Sequence, residues 1–192
     1  NQKGIEMFGC VVTSFNITAD VGTEGGRYKF SATLQTGKTP DLSSTATPTI
    51  TPYANTNIPS LVTSTSHKVS GSDVVMNSFG VTVEHPAVFT GVTSDGYEVV
   101  SRGAEIAVTA ETSVKYDGNT KDFISEFDTQ TQANTDGDFF TIINNNAFGV
   151  NMQNGVFTDV TFNEGDIMML DCSIKSISDG TDALITFDVT SD

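Results

Sequence analysis

A seven-residue pattern that recurs along the chain constrains the fold more than any other feature. Ser78, Phe79, Gly80, Val81, Thr82, Val83 and Glu84 alternate strictly. Side-chain direction in a strand has a period of two, so Phe79, Val81 and Val83 fall on one face and Ser78, Thr82 and Glu84 on the other. Ser14, Phe15, Asn16, Ile17, Thr18, Ala19 and Asp20 repeat the order of aromatic, branched and small apolar residues and also close on an acid. A weaker third copy runs from Asp159 to Glu164 through Val160 and Phe162. Each copy is followed by a turn or loop and a second alternating run. The apolar sets of these runs are Phe30, Ala32 and Leu34; Ala104, Ile106, Val108 and Ala110; and Leu170, Cys172 and Ile174. The pattern predicts repeated antiparallel strand pairs whose wet face carries hydroxyls, amides and acids, as any family of amphipathic hairpins would.

Length bounds what these pairs can build. A chain of 192 residues suffices for one all-β domain with a real core. Thr, Ser, Asn, Gly and Phe are plentiful and Trp is absent, a strand-and-turn composition. The chain starts at Asn1, and neither an apolar run of bilayer-spanning length nor a charged-then-apolar leader occurs in it, so a soluble chain is expected. The formal charge of −15, with only nine Lys and Arg and no basic cluster, argues against attraction to phosphate backbones. Cys10 and Cys172 could pair in an oxidising compartment, but both lie in strand-like apolar settings, and buried free thiols are the expected state.

Residues 1–6 read as a polar arm. Strands are predicted over Met7–Asp20 and Tyr28–Thr36, joined by a turn carrying Gly22, Gly25 and Gly26. Asn16 opens an Asn-Ile-Thr sequence, formally a glycan acceptor, which is read as coincidence. Residues 37–66 are rich in Thr, Ser, Pro and Asn, with Pro40, Pro48, Pro52 and Pro59 breaking any ladder, and are expected to form a long loop or extended arm. Its sparse apolar residues, Ile50, Tyr53, Ile58, Leu61 and Val62, are candidate subunit contacts. His67–Met76 leads into the second long strand. Ala87–Val92 and Tyr97–Val100 flank Asp95 and Gly96, a hairpin-turn signal, and Arg102–Tyr116 forms the next strand. The one predicted helix, 119–128, is capped by Asn119 or Thr120, with Asp122 in its first turn and Phe123, Ile124 and Phe127 as its apolar stripe. Strands then follow over Phe139–Ile143, Ala147–Met152, Val156–Phe162 and Ile167–Ile177. A tight turn at Asp179 and Gly180 leads into a return strand, Ala183–Val189. The expected class is a mainly β, antiparallel sandwich or barrel with one short flanking helix and a long inter-strand loop, in a single domain.

No catalytic constellation emerges. His67 and His85 are expected at strand ends or on the surface, without a nucleophile or carboxylate partner in sequence. Asp128, Asn134, Asp136 and Asp138 lack the register and terminal acidic clamp of a calcium loop. No cofactor or metal is expected, and the absence of Trp weakens a sugar-platform reading of the carboxylates.

Two Ser-Phe-x-apolar-Thr strands ending on an acid, the Ser/Thr/Pro-rich loop, the short helix at Thr120–Phe127 and the terminal hairpin about Asp179 and Gly180 together resemble the tail tube protein of long-tailed bacteriophages. The similarity is one of layout and runs across nearly the whole chain. It implies a β-sandwich that assembles into stacked hexameric rings, each subunit giving one sheet to an inner barrel through which the genome passes. Six copies at −15 each would carry −90 per ring, which disfavours sticking of DNA. Under this resemblance Ser14, Asn16, Thr18, Asp20, Thr82, Glu84, Glu105, Thr109 and Glu111 are the candidate channel-lining residues, and the 37–66 arm would reach an adjacent subunit or ring. The implied partners are further copies of the chain and other tail proteins, with DNA passing unbound and no membrane, in a virion tail. A surface-exposed binding module such as an adhesin or tail-fibre β-sandwich shares the same strand count and composition, and an acid-based hydrolase would need two carboxyl groups converging in a cleft.

Overall fold

The computed structural model describes residues 7, 9–37, 59–92, 98–102, 105–130, 138–144, 148–178 and 180–188. Its strands are β1 (Cys10–Asp20), β2 (Lys29–Thr36), β3 (Ser66–Val69), β4 (Ser72–Asp73), β5 (Met76–Glu84), β6 (Ala87–Val92), β7 (Glu98–Arg102), β8 (Ala107–Lys115), β9 (Phe140–Asn144), β10 (Phe148–Met152), β11 (Gly155–Asn163), β12 (Met169–Ser176) and β13 (Thr186–Asp188), with one helix, α1 (Phe123–Thr129), between β8 and β9. The expected class, mainly β and antiparallel with one short helix, is what the chain adopts.

The three repeated strand pairs assemble side by side. One six-stranded sheet has the order β11-β12-β8-β5-β1-β2. Read across, it is the third pair, then the second, then the first. A second sheet has the order β13-β10-β9-β3-β4, and β6 pairs with β7 in a separate two-stranded ribbon. The single domain expected from length is built as two compact units. One holds the described residues within 1–15, 31–56 and 83–106, the other those within 16–30, 57–82 and 107–192.

The second unit contains the core. Alternation puts Ile17, Ala19, Phe79, Val81, Val108, Ala110, Leu170, Cys172 and Ile174 of the six-stranded sheet in the interior, against Val69, Phe140, Ile142, Val150 and Met152 of the five-stranded sheet. Aromatic rings bridge the two layers: Phe79 and Phe140 have centroids 6.3 Å apart, Phe139 and Phe157 5.3 Å. Each fully buried ring or branched chain removes enough apolar surface to be worth about 1.5–3 kcal/mol. Thr112, on the core face of β8, is tolerated because its hydroxyl donates to the Ser78 carbonyl at 2.9 Å.

The helix is shorter than predicted and starts later. Thr120 does not cap it; its buried hydroxyl donates to the Lys115 carbonyl and accepts from the Asp117 amide, closing a turn of its own. α1 therefore begins at Phe123, whose ring is buried 5.2 Å from that of Phe157. Packing, not intrinsic propensity, holds so short a segment. The closing strand also differs from expectation. β13 does not turn back on β12 but pairs with β10, Val150 facing Phe187, so the final connection crosses from one sheet to the other. The hydroxyl of Ser176 holds that crossing by donating to the Leu184 carbonyl at 2.7 Å. Asp179 lies outside the described residues.

The first unit comprises the start of β1, most of β2, the end of β5 and the β6–β7 ribbon. The His85 amide donates to the Thr13 carbonyl at 2.9 Å, and the Thr13 hydroxyl to the Thr33 carbonyl at 3.3 Å. β6 and β7 pair antiparallel from Ala87 opposite Arg102 to Val92 opposite Glu98, with a bulge between Phe89 and Gly91. Gly91 has φ +145°, a conformation a side chain would disfavour. The turn predicted at Asp95 and Gly96 lies outside the described residues, though the strands it joins are paired as expected.

Candidate functional site

Within the second unit, the wet face of the six-stranded sheet gathers most of the candidate lining residues. Asn16, Thr18 and Asp20 on β1, Thr82 on β5, and Thr109 and Glu111 on β8 occupy three neighbouring strands. The Asn16 amide Nδ2 donates to Thr82 Oγ1 at 2.7 Å. Thr18 stands beside Gly80, where an added Cβ would lie 3.5 Å from its Cγ2. The Asp20 carboxylate accepts from the Gly22 amide at 2.6 Å, fixing the turn after β1. Ser14 and Glu84 belong to the ends of β1 and β5 that fall in the first unit, and Glu105 precedes β8 there.

The same face continues onto β12 and β11, which the sequence reading left out of the lining. Glu111 faces Ser173, which faces Asp159 on its other side; Ser113 faces Asp171, which faces Thr161. Carboxylates therefore alternate with hydroxyls across β8, β12 and β11, and no two acids stand directly opposite, an arrangement that avoids cross-strand repulsion. The signal for Asp171, Ser173 and Lys175 was present as the polar half of the third pair. Their placement beside β8 depends on strand order, which alternation cannot supply.

A groove of about 690 Å³ runs over this surface, lined by Thr18, Asp20, Ser78, Glu111, Asp159 and Asp171, with Arg27 and Lys29 also along it. Its chemistry is that of a hydrated polar surface. Acids, hydroxyls and amides can order water and repel phosphate, but histidine, the usual general base, does not line it. Among the described residues, no group of three or more His, Cys, Asp or Glu side chains is placed to hold a metal ion. No helix among them is long and apolar enough to cross a membrane.

The candidate subunit contacts separate sharply. Leu61 is only 2% exposed, whereas Val62 is 66% exposed. The reason is local: Leu61–Thr63 form a 3₁₀ turn capped reciprocally by Ser60 and Thr63, which turns Leu61 inward and Val62 outward. Asn144 reinforces that cap by donating to the Ser60 carbonyl and to Thr63 Oγ1. Leu61 is thus a core residue and no contact candidate. Ile50, Tyr53 and Ile58, like the 1–6 arm and residues 38–58 of the predicted loop, lie outside the described residues; the structured chain resumes at residue 59, within the span read as loop.

Neither thiol setting nor histidine placement follows the sequence reading throughout. Cys172 is buried, but Cys10, at the start of β1, is exposed, and both are free. Burial, with the charges of Asp171 and Asp159 adding to it, pushes the Cys172 thiol up to about 12. His67, the second residue of β3, stands by that strand's start as expected but is half-buried rather than on the surface. It lies inside β3 opposite Ile142, on the core side, and its Nε2 is buried without a hydrogen-bond partner among the described residues. Burial lowers its pKa from the ordinary 6.5, opposed by a bond to the Leu61 backbone.

Compared with known protein families and with curated proteins, the chain matches none. The outer face of the five-stranded sheet is also polar, built around Asp138, which pairs with Lys68 at 2.9 Å and accepts from Thr141 and Asn151. Thr141 also donates to Asn151 Oδ1 at 3.3 Å, which joins these side chains in one hydrogen-bonded cluster.

Proposed function

We propose that this chain is a non-enzymatic structural subunit of a bacteriophage tail tube, assembling as stacked hexameric rings in the virion tail, with the polar face of the six-stranded sheet turned toward a channel for genome passage. One observation carries the reading. All three repeated strand pairs join a single sheet, and within the second unit the wet residues of β1, β5, β8, β12 and β11 supply hydroxyls, amides and separated carboxylates. A ligand pocket needs a few converging groups. A passage needs a broad surface with no strong attraction to a polyanion, and the chain's charge of −15 supports that role. Arg27 and Lys29 line the same groove as Asp20, Glu111, Asp159 and Asp171, so acids outnumber bases along it.

The sheet ends fit the same reading. Among the described residues β2 and β11 stand at the two ends of the six-stranded sheet, the strands that would meet neighbouring subunits in a closed ring. The test is negative-stain electron microscopy of the purified chain at high concentration across several salt conditions. Sixfold rings or stacked tubes with a central channel are expected. A uniform monomer throughout would overturn the proposal and favour a surface-exposed binding module.

A further inference from the structure

The chain contains one Asn-Gly step, Asn154–Gly155, at the bend that leads from β10 into β11. That bend joins the two layers of the second unit, since β10 belongs to the five-stranded sheet and β11 to the six-stranded one. Gly155 is demanded by packing. An added Cβ would stand 2.6 Å from Cδ1 of Phe139, whose ring packs on that of Phe157, which in turn packs on Phe123. Asn154 is not demanded in the same way, because its φ is not positive and its backbone conformation suits other residues. Its side chain is only 2% exposed, and its Oδ1 is buried with no hydrogen-bond partner among the described residues.

An Asn-Gly step is prone to losing the amide, because glycine has no side chain to shield its backbone nitrogen. In an open chain the Gly155 nitrogen, as its proton passes to hydroxide, bonds to Cγ of Asn154. The bond from Cγ to Nδ2 breaks, and ammonia leaves with a proton from water, closing a succinimide ring. Water then opens the ring at either carbonyl to give aspartate or isoaspartate. One water is consumed and one ammonia released, with no oxidant, reductant or cofactor.

The folded chain blocks the first step. The Asn154 carbonyl accepts from the Ile177 amide at 3.3 Å and lies 3.2 Å from the Ser176 hydroxyl, and the Gln153 carbonyl accepts from the Phe139 amide at 3.3 Å. Gly155 is in register opposite Ser176. The backbone on both sides of the step is therefore fixed, and burial keeps hydroxide from it. Neither product fits this setting. A carboxylate at position 154 would sit where even the neutral amide oxygen finds no donor, and a buried unpaired charge is costlier still. Isoaspartate adds a methylene to the main chain and displaces the carbonyl that Ile177 holds.

We infer that Asn154–Gly155 is a self-modification site, shut in the folded chain and open in the unfolded one, so that a chain left unfolded loses the amide and with it the ability to fold. Unfolding thereby becomes a one-way exit. The inference stands on the fold of the second unit and is independent of any assembly.

The test holds the full chain at mildly alkaline pH, native or unfolded in guanidinium chloride, and follows position 154 by peptide mapping and mass spectrometry. Dilution of each unfolded sample then gives the refolded fraction by circular dichroism. Expected is that the amide is lost at least tenfold faster from the unfolded chain, and that refolding yield falls with the same time course. Unfolded chain kept at mildly acidic pH should retain both amide and yield. Asn154→Ala taken through the alkaline treatment should retain its yield, which separates this site from other slow damage. Where refolding from denaturant fails outright, Asn154→Asp and Asn154→Ser are expressed directly, and Asn154→Asp is expected to unfold at lower denaturant or to be recovered only as aggregate. Native protein that loses the amide as fast as unfolded chain, modified chain that refolds as well as unmodified chain, or Asn154→Asp no more impaired than Asn154→Ser would overturn the inference.

Discussion

Asn16 and Thr82 are directly bonded across β1 and β5, amide to hydroxyl at 2.7 Å. They come from the two clearest copies of the repeated sequence, 66 residues apart, so the bond ties one copy to the other. The amide of His85 bonding Thr13 and that of Val21 bonding Asn77 bracket the pair, which runs the copies in opposite directions.

Removing that bond should cost a modest and measurable amount. Asn16→Ala and Thr82→Val are each expected to lower stability by about 0.5–1.5 kcal/mol, with the double variant losing less than the sum. Urea unfolding of the four proteins measures the coupling. Strict additivity would show that the bond contributes nothing.

Two glycines should respond oppositely to alanine. At Gly155 an added Cβ would stand 2.6 Å from Cδ1 of the buried Phe139 ring, so Gly155→Ala should destabilise by about 1–3 kcal/mol through overpacking. At Gly80 the nearest atom is 3.5 Å away, ordinary contact, so Gly80→Ala should be neutral or slightly stabilising. Chemical denaturation of both decides it; equal losses would contradict the packing described.

The two thiols should differ in reactivity. Cys10 is exposed and Cys172 is buried with its thiol pushed up to about 12, so native protein near neutral pH should take up one equivalent of a thiol reagent and a second only on unfolding. Rapid uptake of two equivalents without denaturant would refute the burial of Cys172.

Stability should fall on mild acidification. The pKa of His67 is lowered from 6.5 by burial, so the unfolded chain binds more protons between that lowered value and 6.5, and stability drops as pH falls through this window. Glu126 has the opposite sign. Burial raises its pKa above 4.5, eased by the Ser70 hydroxyl bond and reinforced by Asp122, so protonation favours the folded state as pH falls from the raised value toward 4.5. His67→Gln should flatten the first slope and Glu126→Gln the second, in melts across pH. A His67→Gln protein that keeps the wild-type slope as pH falls below 6.5 would dismiss the histidine as its source.

Alternation made the strands legible and, on β5, β8 and β12, the core faces, because burial on one side leaves a period of two in a half-wet strand; on β2 the apolar set does not go inside, and Phe30 and Leu34 are half exposed. Phe79, Val81, Ile17 and Ile174 are buried as that period requires. Strand order is a different matter. Nothing local tells β8 to lie between β12 and β5, so Asp159, Asp171 and Ser173 were recognisable as polar but not as neighbours of Glu111. The inward turn of Leu61 depends on a Ser60 and Thr63 cap whose outcome hangs on Asn144, 84 residues from Ser60. The departure of β13 to the other sheet is equally non-local, since a tight-turn signal specifies a reversal and not the partner strand.

The central claim is that the polar sheet face lines a channel, and a position label tests it most directly. In a Cys10→Ser background, where the buried Cys172 stays inert, Thr109→Cys offers a thiol at an exposed position on that face. Protein carrying a maleimide gold cluster at that thiol, mixed as a small fraction with unlabelled chain before assembly, is then imaged by electron microscopy. Gold along the central axis of rings or tubes is the expected result. Gold on the outer wall, or the absence of hollow assemblies under conditions where the chain is folded, would contradict it.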